Sequence, residues 1–407
     1  MPLVGGALAL LLAPSCSASP SADEPAVLDA GGDATPSDPT DRCFDALVPS
    51  GLGFGWASLN HRISRLDLGW SPTGDAGCGG AMRGATLAAT FVGGNFTTGA
   101  FGTDQPFVLL DAFVVGARAP GSGDVASPVR TIRGRETLDL ASQIDGNADN
   151  VGEARVVVPL PAGLDGTEVV EPFLDAISLH TDVPQGADYP ANYAQADGYT
   201  TRGIAFAVDS IVRDAASVSF TVRARFGLAQ ADRPDMNAAI PHARTRAAVG
   251  WQVLVLGGAT SSTASVAYRQ EYPAATTDPT APLPPVPSTS TATSTTLPGA
   301  PTRAIAALRS FSFALSFPEV AGAPGGDYMR EYSARIEGLR LAEGGRVELA
   351  IDGYASNAGV VPRGPTRYDF AAEAVVVGWS AGPDAAFVPG RFDFTVPSTT
   401  APMALAP

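Results

Sequence analysis

The chain has 407 residues, a formal net charge of −15, 45 glycines and 35 prolines, and every one of its basic residues is arginine. That length is enough for two to four domains with real cores. The acidic balance argues against nucleic acid as a partner, since phosphate contacts need a basic face.

The first sixteen residues read as an export signal. Leu3–Leu12 is an apolar run of ten residues, the length of a signal core and too short to span a bilayer. Ala13-Pro14-Ser15-Cys16 follows it and resembles a bacterial lipobox, in which small residues precede a cysteine that is lipidated. The resemblance implies a lipid on Cys16 as the membrane attachment, and a place in the cell envelope or on the outer surface. Pro14 and the absence of a basic stretch before the apolar run depart from that pattern. Ser17–Asp41 is rich in Ala, Ser, Pro and Asp and buries too little to order itself, so it is expected to be a tether. With Cys16 set aside, Cys43 and Cys78 remain as an even pair in an oxidising compartment, and a disulfide is expected between them.

From residue 42 onward the signals are those of strands and turns. In 42–142, apolar runs at Ile63–Trp70, Thr86–Phe91 and Phe107–Ala117 are separated by Gly, Pro and Asp. The polar joint IDGNADNVGE follows. Its Asp145, Asn147, Asp149 and Glu153 carry oxygens at a spacing that can converge on calcium. The match to an EF-hand loop fails at Asn150 and Val156, and an Asx-rich turn accounts for the same residues. No other metal or cofactor is suggested.

Residues 154–273 make a middle domain with strand candidates that include Phe173–His180, Gly203–Val212, Ser217–Phe226 and Ala247–Leu256. The stretch between Asp182 and Thr201 is long and carries Tyr189, Asn192, Tyr193 and Tyr199, a candidate contact surface, because tyrosine offers area at small entropic cost. Residues 274–302 are rich in Pro, Thr and Ser and are expected to be a stiff linker. The last domain, 303–397, repeats the middle one. Val218-Ser-Phe220-Thr-Val222 matches Val347-Glu-Leu349-Ala-Ile351 in phase, and Gly250-Trp251 and Gly378-Trp379 follow at spacings that differ by one residue. A Gly-Trp at Trp70, placed after an early strand, leaves a third copy open.

The fold class that follows is all-β: tandem antiparallel β-sandwich domains, jelly-roll or Ig-like, with the Pro/Thr/Ser segment between them. All four tryptophans follow glycine, which fits rings filling sandwich cores behind a bend; rings on a sugar-stacking face are the other reading. The Val-Gly-Trp ending resembles the end of H-type lectin domains, and no binding residue is carried across.

Catalytic signals are sparse. His61, His180 and His242 are scattered, and there is no Gly-x-Ser-x-Gly elbow, no HExxH and no phosphate-binding glycine loop. The expectation is a non-enzymatic surface protein that binds a glycan or another surface protein, or builds the envelope. The alternative is a secreted hydrolase, carbohydrate-active or otherwise, with an unrecognised carboxylate site.

Overall fold

The computed structural model describes residues 43–55, 62–74, 78, 81–94, 107–116, 129–140, 149–164, 166–182, 200–229, 244–272, 289–316, 328–358, 366–393 and 398–403. Nearly all of them lie in β-strands, and no α-helix occurs among the described residues. In chain order the strands are β1 (Ala46–Gly55), β2 (Arg62–Gly74), β3 (Met82–Gly94), β4 (Phe107–Val115), β5 (Val129–Leu140) and β6 (Asp149–Pro159). Next come β7 (Val169–Asp182), β8 (Thr200–Arg213), β9 (Ser217–Ala229), β10 (Arg244–Leu256), β11 (Ala259–Tyr272) and β12 (Thr289–Thr296). The last are β13 (Arg303–Ser316), β14 (Tyr328–Leu341), β15 (Arg346–Ala358), β16 (Thr366–Trp379), β17 (Ala385–Val388), β18 (Arg391–Asp393) and β19 (Ser398–Met403).

These strands form three antiparallel sheets. Sheet I runs β12-β15-β14-β1-β4-β17, with β18 also on β4; sheet II runs β19-β3-β2-β7-β10-β5; sheet III runs β11-β16-β13-β8-β9-β6. One wiring pattern recurs three times. β1 opens in sheet I, the β2–β3 hairpin lies in sheet II, β4 returns beside β1, β5 takes an edge of sheet II and β6 an edge of sheet III. β7–β12 and β13–β19 repeat this, each moved on by one sheet, with β17 and β18 acting as one broken strand.

The expected units 42–142, 154–273 and 303–397 therefore do not each close a sheet of their own: the strands of the first are divided between sheets I and II, those of the second between sheets II and III, and those of the last between sheets III and I. The expected linker is also corrected. Thr289–Thr296 is an edge strand, paired along its whole length with β15. Its sequence, TSTATSTT, has no large apolar residue to announce a strand, yet β-branched threonines suit a pleated backbone, and an edge position needs only one face.

Alternation explains which faces are buried. In β9, Val218, Phe220, Val222 and Ala224 are buried while Arg223 and Arg225 are exposed. In β15, Val347, Leu349 and Ile351 are buried, and β9 and β15 are the third strands of their respective repeats. Phe220 of sheet III meets Trp251 of sheet II edge-on at 5.3 Å between ring centroids, so these inner faces pack on each other. A second cluster gathers Ala46, Val48, Val169, Phe173, Ile305 and Ala307 from β1, β7 and β13, which are mutually in contact. The three described tryptophans are core residues, with Trp70, Trp251 and Trp379 5, 7 and 1% exposed; Trp56 lies outside the described residues.

The two Gly-Trp pairs occupy different register positions. Trp379 ends β16 opposite Arg303, whereas the matching last residue of β10 is Leu256, opposite Val169. Trp251 stands mid-strand, and its ring covers Gly134, where a Cβ would fall 2.1 Å from it. The shared glycine has separate causes: a Cβ on Gly250 would strike Ala176, and one on Gly378 would strike Leu297 and Pro301.

Cys43 and Cys78 are joined by a disulfide with Cα atoms 5.6 Å apart. It ties the start of β1 to the β2–β3 connection. In the chain-entropy model a loop of this size contributes about 3–4 kcal/mol.

Candidate functional site

The polar chemistry inside the sheets sits where the first strand of each repeat is bulged. The ladder between β1 and β4 skips Ser50, that between β7 and β10 skips Asp175, and that between β13 and β16 skips Arg309. A bulge re-aims one side chain while the strand continues. All three residues are polar, and Ser50 and Asp175 are fully buried.

In sheet II, the indole Nε1–H of Trp70 donates to Asp175 Oδ1 at 2.8 Å. Arg133 donates to Asp175 Oδ2 through Nε at 2.9 Å and Nη2 at 2.6 Å, and to the Trp70 carbonyl at 3.0 Å. Its guanidinium carbon lies 3.6 Å above the Trp70 ring, a cation–π contact. Burial pushes the Asp175 carboxyl above its ordinary value, and Arg133 and Trp70 pull it part of the way back. On the neighbouring positions Ser178 donates to Asp67, which Arg135 also meets at 3.3 Å.

In sheet III, Arg309 pairs with Glu171 of β7 and stands 3.6 Å from Glu373. Ser261 donates to Glu171 at 2.5 Å, and Arg309 Nη1 donates to Thr263 at 3.3 Å. In sheet I the bulge is occupied by a neutral serine, and charge sits on the strands beside it. Gly51 leaves room for it: a Cβ there would lie 2.7 Å from Arg335 Cβ and 3.1 Å from Asp111 Cβ. Asp111 accepts from the Gly390 N–H at 3.0 Å, and burial raises its carboxyl while that bond and Arg335 oppose the shift. Arg335 pairs with Asp352 at 3.3 Å and with Glu337.

Chemically, these centres pair each buried carboxylate with a guanidinium or a backbone N–H, which fixes strands rather than poising a proton for transfer. Among the described residues, no group of three or more His, Cys, Asp or Glu could hold a metal ion. A shallow groove of about 450 Å³ lies on sheet III, with Ala205, Ser312 and Ala371 among its lining residues and Arg225 and the Arg269–Asp369 pair (2.6 Å) at its sides.

The sequence-predicted positions fall differently. Cys16, Asp145, Asn147, Tyr189, Asn192, Tyr193, Tyr199, His61 and His242 lie outside the described residues. Asp149 opens β6, and Glu153 is an exposed partner of Arg223 at 3.0 Å. The described strand ends nevertheless bring their connections to one end of the sheets. Leu140 and Asp182, which end β5 and β7, stand beside Thr245 and Arg244 at the start of β10. Asp149 and Thr200, which open β6 and β8, stand beside Gly227 and Ala229 at the close of β9. So the segment with Asp145 and Asn147 and the segment with the three tyrosines both leave from the same end.

Sequence reasoning missed the bulge residues. Their signal was a polar residue followed by alternating small and apolar ones: Ser50-Gly-Leu-Gly-Phe, Asp175-Ala-Ile-Ser-Leu and Arg309-Ser-Phe-Ser-Phe. No protein-family model, curated protein or solved structure matches the chain.

Proposed function

We propose that this is a non-enzymatic binding protein of the cell surface, exported and held by a lipid on Cys16, that presents three related β-sandwich modules to a glycan or protein ligand. The observation that carries this reading is the convergence of strand ends: in one repeat after another, the same three kinds of connection leave one end of the sheets. The connections at that end are also the long ones, 183–199 and 230–243 in the second repeat, against the three-residue connection Asp214–Ala216 at the other end. Long connections on a rigid scaffold are where recognition is usually built. In the sandwich reading, β5–β10 form one module and β11–β16 another, with β1–β4 completed by β17–β19. Three copies in one chain add avidity if each binds. The inward pairing of Asp175, Asp111 and Arg309 supports a structural rather than catalytic use of the buried charges.

The test replaces Tyr189, Tyr193 and Tyr199 by Ser and compares the folded variant with the unaltered protein on glycan and envelope-protein panels. Loss of a binding signal is expected; an unchanged signal removes this connection from the contact surface. Turnover of a polysaccharide or peptide would favour the hydrolase alternative. Mass spectrometry of the N-terminal peptide tests the anchor, with diacylglycerol on Cys16 expected and an unmodified start beyond Cys16 contradicting it.

A further inference from the structure

The first repeat is completed differently from the other two. β10 and β9 are flanked by β5 and β6, which precede β7 directly through residues 160–168. β16 and β15 are flanked by β11 and β12, which precede β13 through residues 297–302. The corresponding flanks of β4 and β3 are β17, β18 and β19, which come from the far end of the described chain.

The two sides of this unit are held by different means. At β1 the disulfide between Cys43 and Cys78 and the Phe44–Met82 bridge fix the chain covalently and locally. The other side is held by noncovalent contacts alone. Gly116 N–H donates to the Asp384 carbonyl at 2.8 Å, Leu110 N–H donates to the Gly390 carbonyl at 2.8 Å, and Asp111 accepts from Gly390. Phe387 meets Phe113 edge-on at 5.5 Å, and Val388 is buried. Upstream, the bend Ser380–Gly382 has Gly382 at φ 134°, a backbone region essentially reserved for glycine and suited to a hinge.

We propose that the strands β17, β18 and β19 are an exchangeable strap, which closes the first unit of its own chain or that of a second copy. The acceptor is the same in every copy: the edge of β4 that β17 and β18 cover, the carboxylate of Asp111 and the edge of β3. From β17 onward the strap therefore makes the same contacts whether it folds back or crosses over; the bend at 380–384 must change, and with it the Trp379–Pro383, Arg303–Asp384 and Gly116–Asp384 contacts. That is the condition under which strand exchange between identical chains is cheap. This inference is independent of the ligand proposed above.

A protease site inserted between Gly382 and Pro383 allows the strap to be cut in the folded full chain. The expected result is that the cut strap co-elutes with the remainder on size exclusion, leaves in mild denaturant, and is replaced one-to-one on dilution by a labelled peptide of residues 384–407. Loss of the cut strap with an unchanged melting temperature in the remainder would overturn the proposal, as would exclusion of the labelled peptide. A second variant guards against damage by the insertion. Ala88→Cys with Thr400→Cys, opposite each other in the β3–β19 ladder, ties the strap in place. Refolding the unaltered chain at tenfold higher concentration is expected to raise the dimer-to-monomer ratio roughly tenfold by mass action. The tied variant should stay monomeric. Equal dimer in both would also overturn the proposal.

Discussion

β7 and β13 carry the same bulge with opposite charges in it. Asp175 faces inward from β7 and draws Arg133 across from β5, while Arg309 in β13 draws Glu171 from another sheet and Glu373 from the next strand. In β1 the same place holds an uncharged serine. What the three repeats share is the extra residue in the backbone, not the sign of the charge it carries. Each buried charge has then been met by a partner of opposite sign from another strand, as low-dielectric surroundings require. The bulge is thus a feature of the sheet's geometry, and the polar chemistry is a local answer to it.

The sharpest way to break the comparison is to remove one partner. Arg309 and Glu171 keep only 11 and 14% of their side-chain surface exposed, so Arg309→Leu is expected to cost about 3–5 kcal/mol in denaturant unfolding by stranding a buried carboxylate. Adding Glu171→Leu should restore much of that loss. If the single and double changes cost the same, the pair is not what the bulge depends on.

Core truncations at matched positions come next. Phe220→Ala in β9 and Leu349→Ala in β15 should each cost roughly 2–5 kcal/mol, since both side chains are fully enclosed. A large loss in one with none in the other would show that the repeats do not share their packing.

Gln252 offers a smaller effect of opposite sign. It is 0% exposed, and neither its amide nitrogen nor its oxygen has a protein hydrogen-bond partner among the described residues. Opposite Phe173 in β10 it occupies the place that Val375 holds opposite Ala307 and Phe113 holds opposite Val48. Gln252→Leu is therefore expected to stabilise the fold by about 1 kcal/mol, because an unpaired buried amide is removed.

The smallest effects concern pH, and two aspartates should show opposite signs. Asp175 has a raised carboxyl, so on acidification the folded chain takes up this proton before the unfolded chain does. Stability should rise as pH falls from neutral toward the ordinary carboxylate range, relative to Asp175→Asn. Asp214 is fully exposed and accepts from the Ala216 and Ser217 N–H groups at 2.8 and 2.7 Å, which holds its carboxyl below the ordinary value. Its contribution is present above the unfolded pKa and lost as pH falls through the lowered folded one. Melting temperatures of Asp175→Asn and Asp214→Asn from pH 3 to 7 check both slopes.

Much of the secondary structure was legible because alternation is local. Val218, Phe220 and Val222 declare a buried face within five residues, and the strands at Phe107–Val115 and Ser310–Phe313 do the same. Strand partnership was not legible. Nothing near Val156 says that β6 pairs with β9 while β5, which precedes it, pairs with β10 in another sheet. The proline-rich composition around β12 concealed an edge strand held by backbone hydrogen bonds, which leave no mark in side-chain pattern. The Gly-Trp spacing did not mark equivalent positions, since Trp251 stands mid-strand in β10 and Trp379 ends β16.

The position of β17–β19 also sets an order of events during synthesis. About 270 residues separate β4 from the strand that covers its edge, and chains grow at roughly 5–20 residues per second. For some tens of seconds at the lower speeds, the first unit to leave the ribosome has two uncovered sheet edges, whereas β5 and β6 are already made when β10 and β9 arrive. The earliest residues of the sheets are thus among the last to be enclosed. A chaperone that shields unpaired strand edges would find its longest-lived target at β3 and β4.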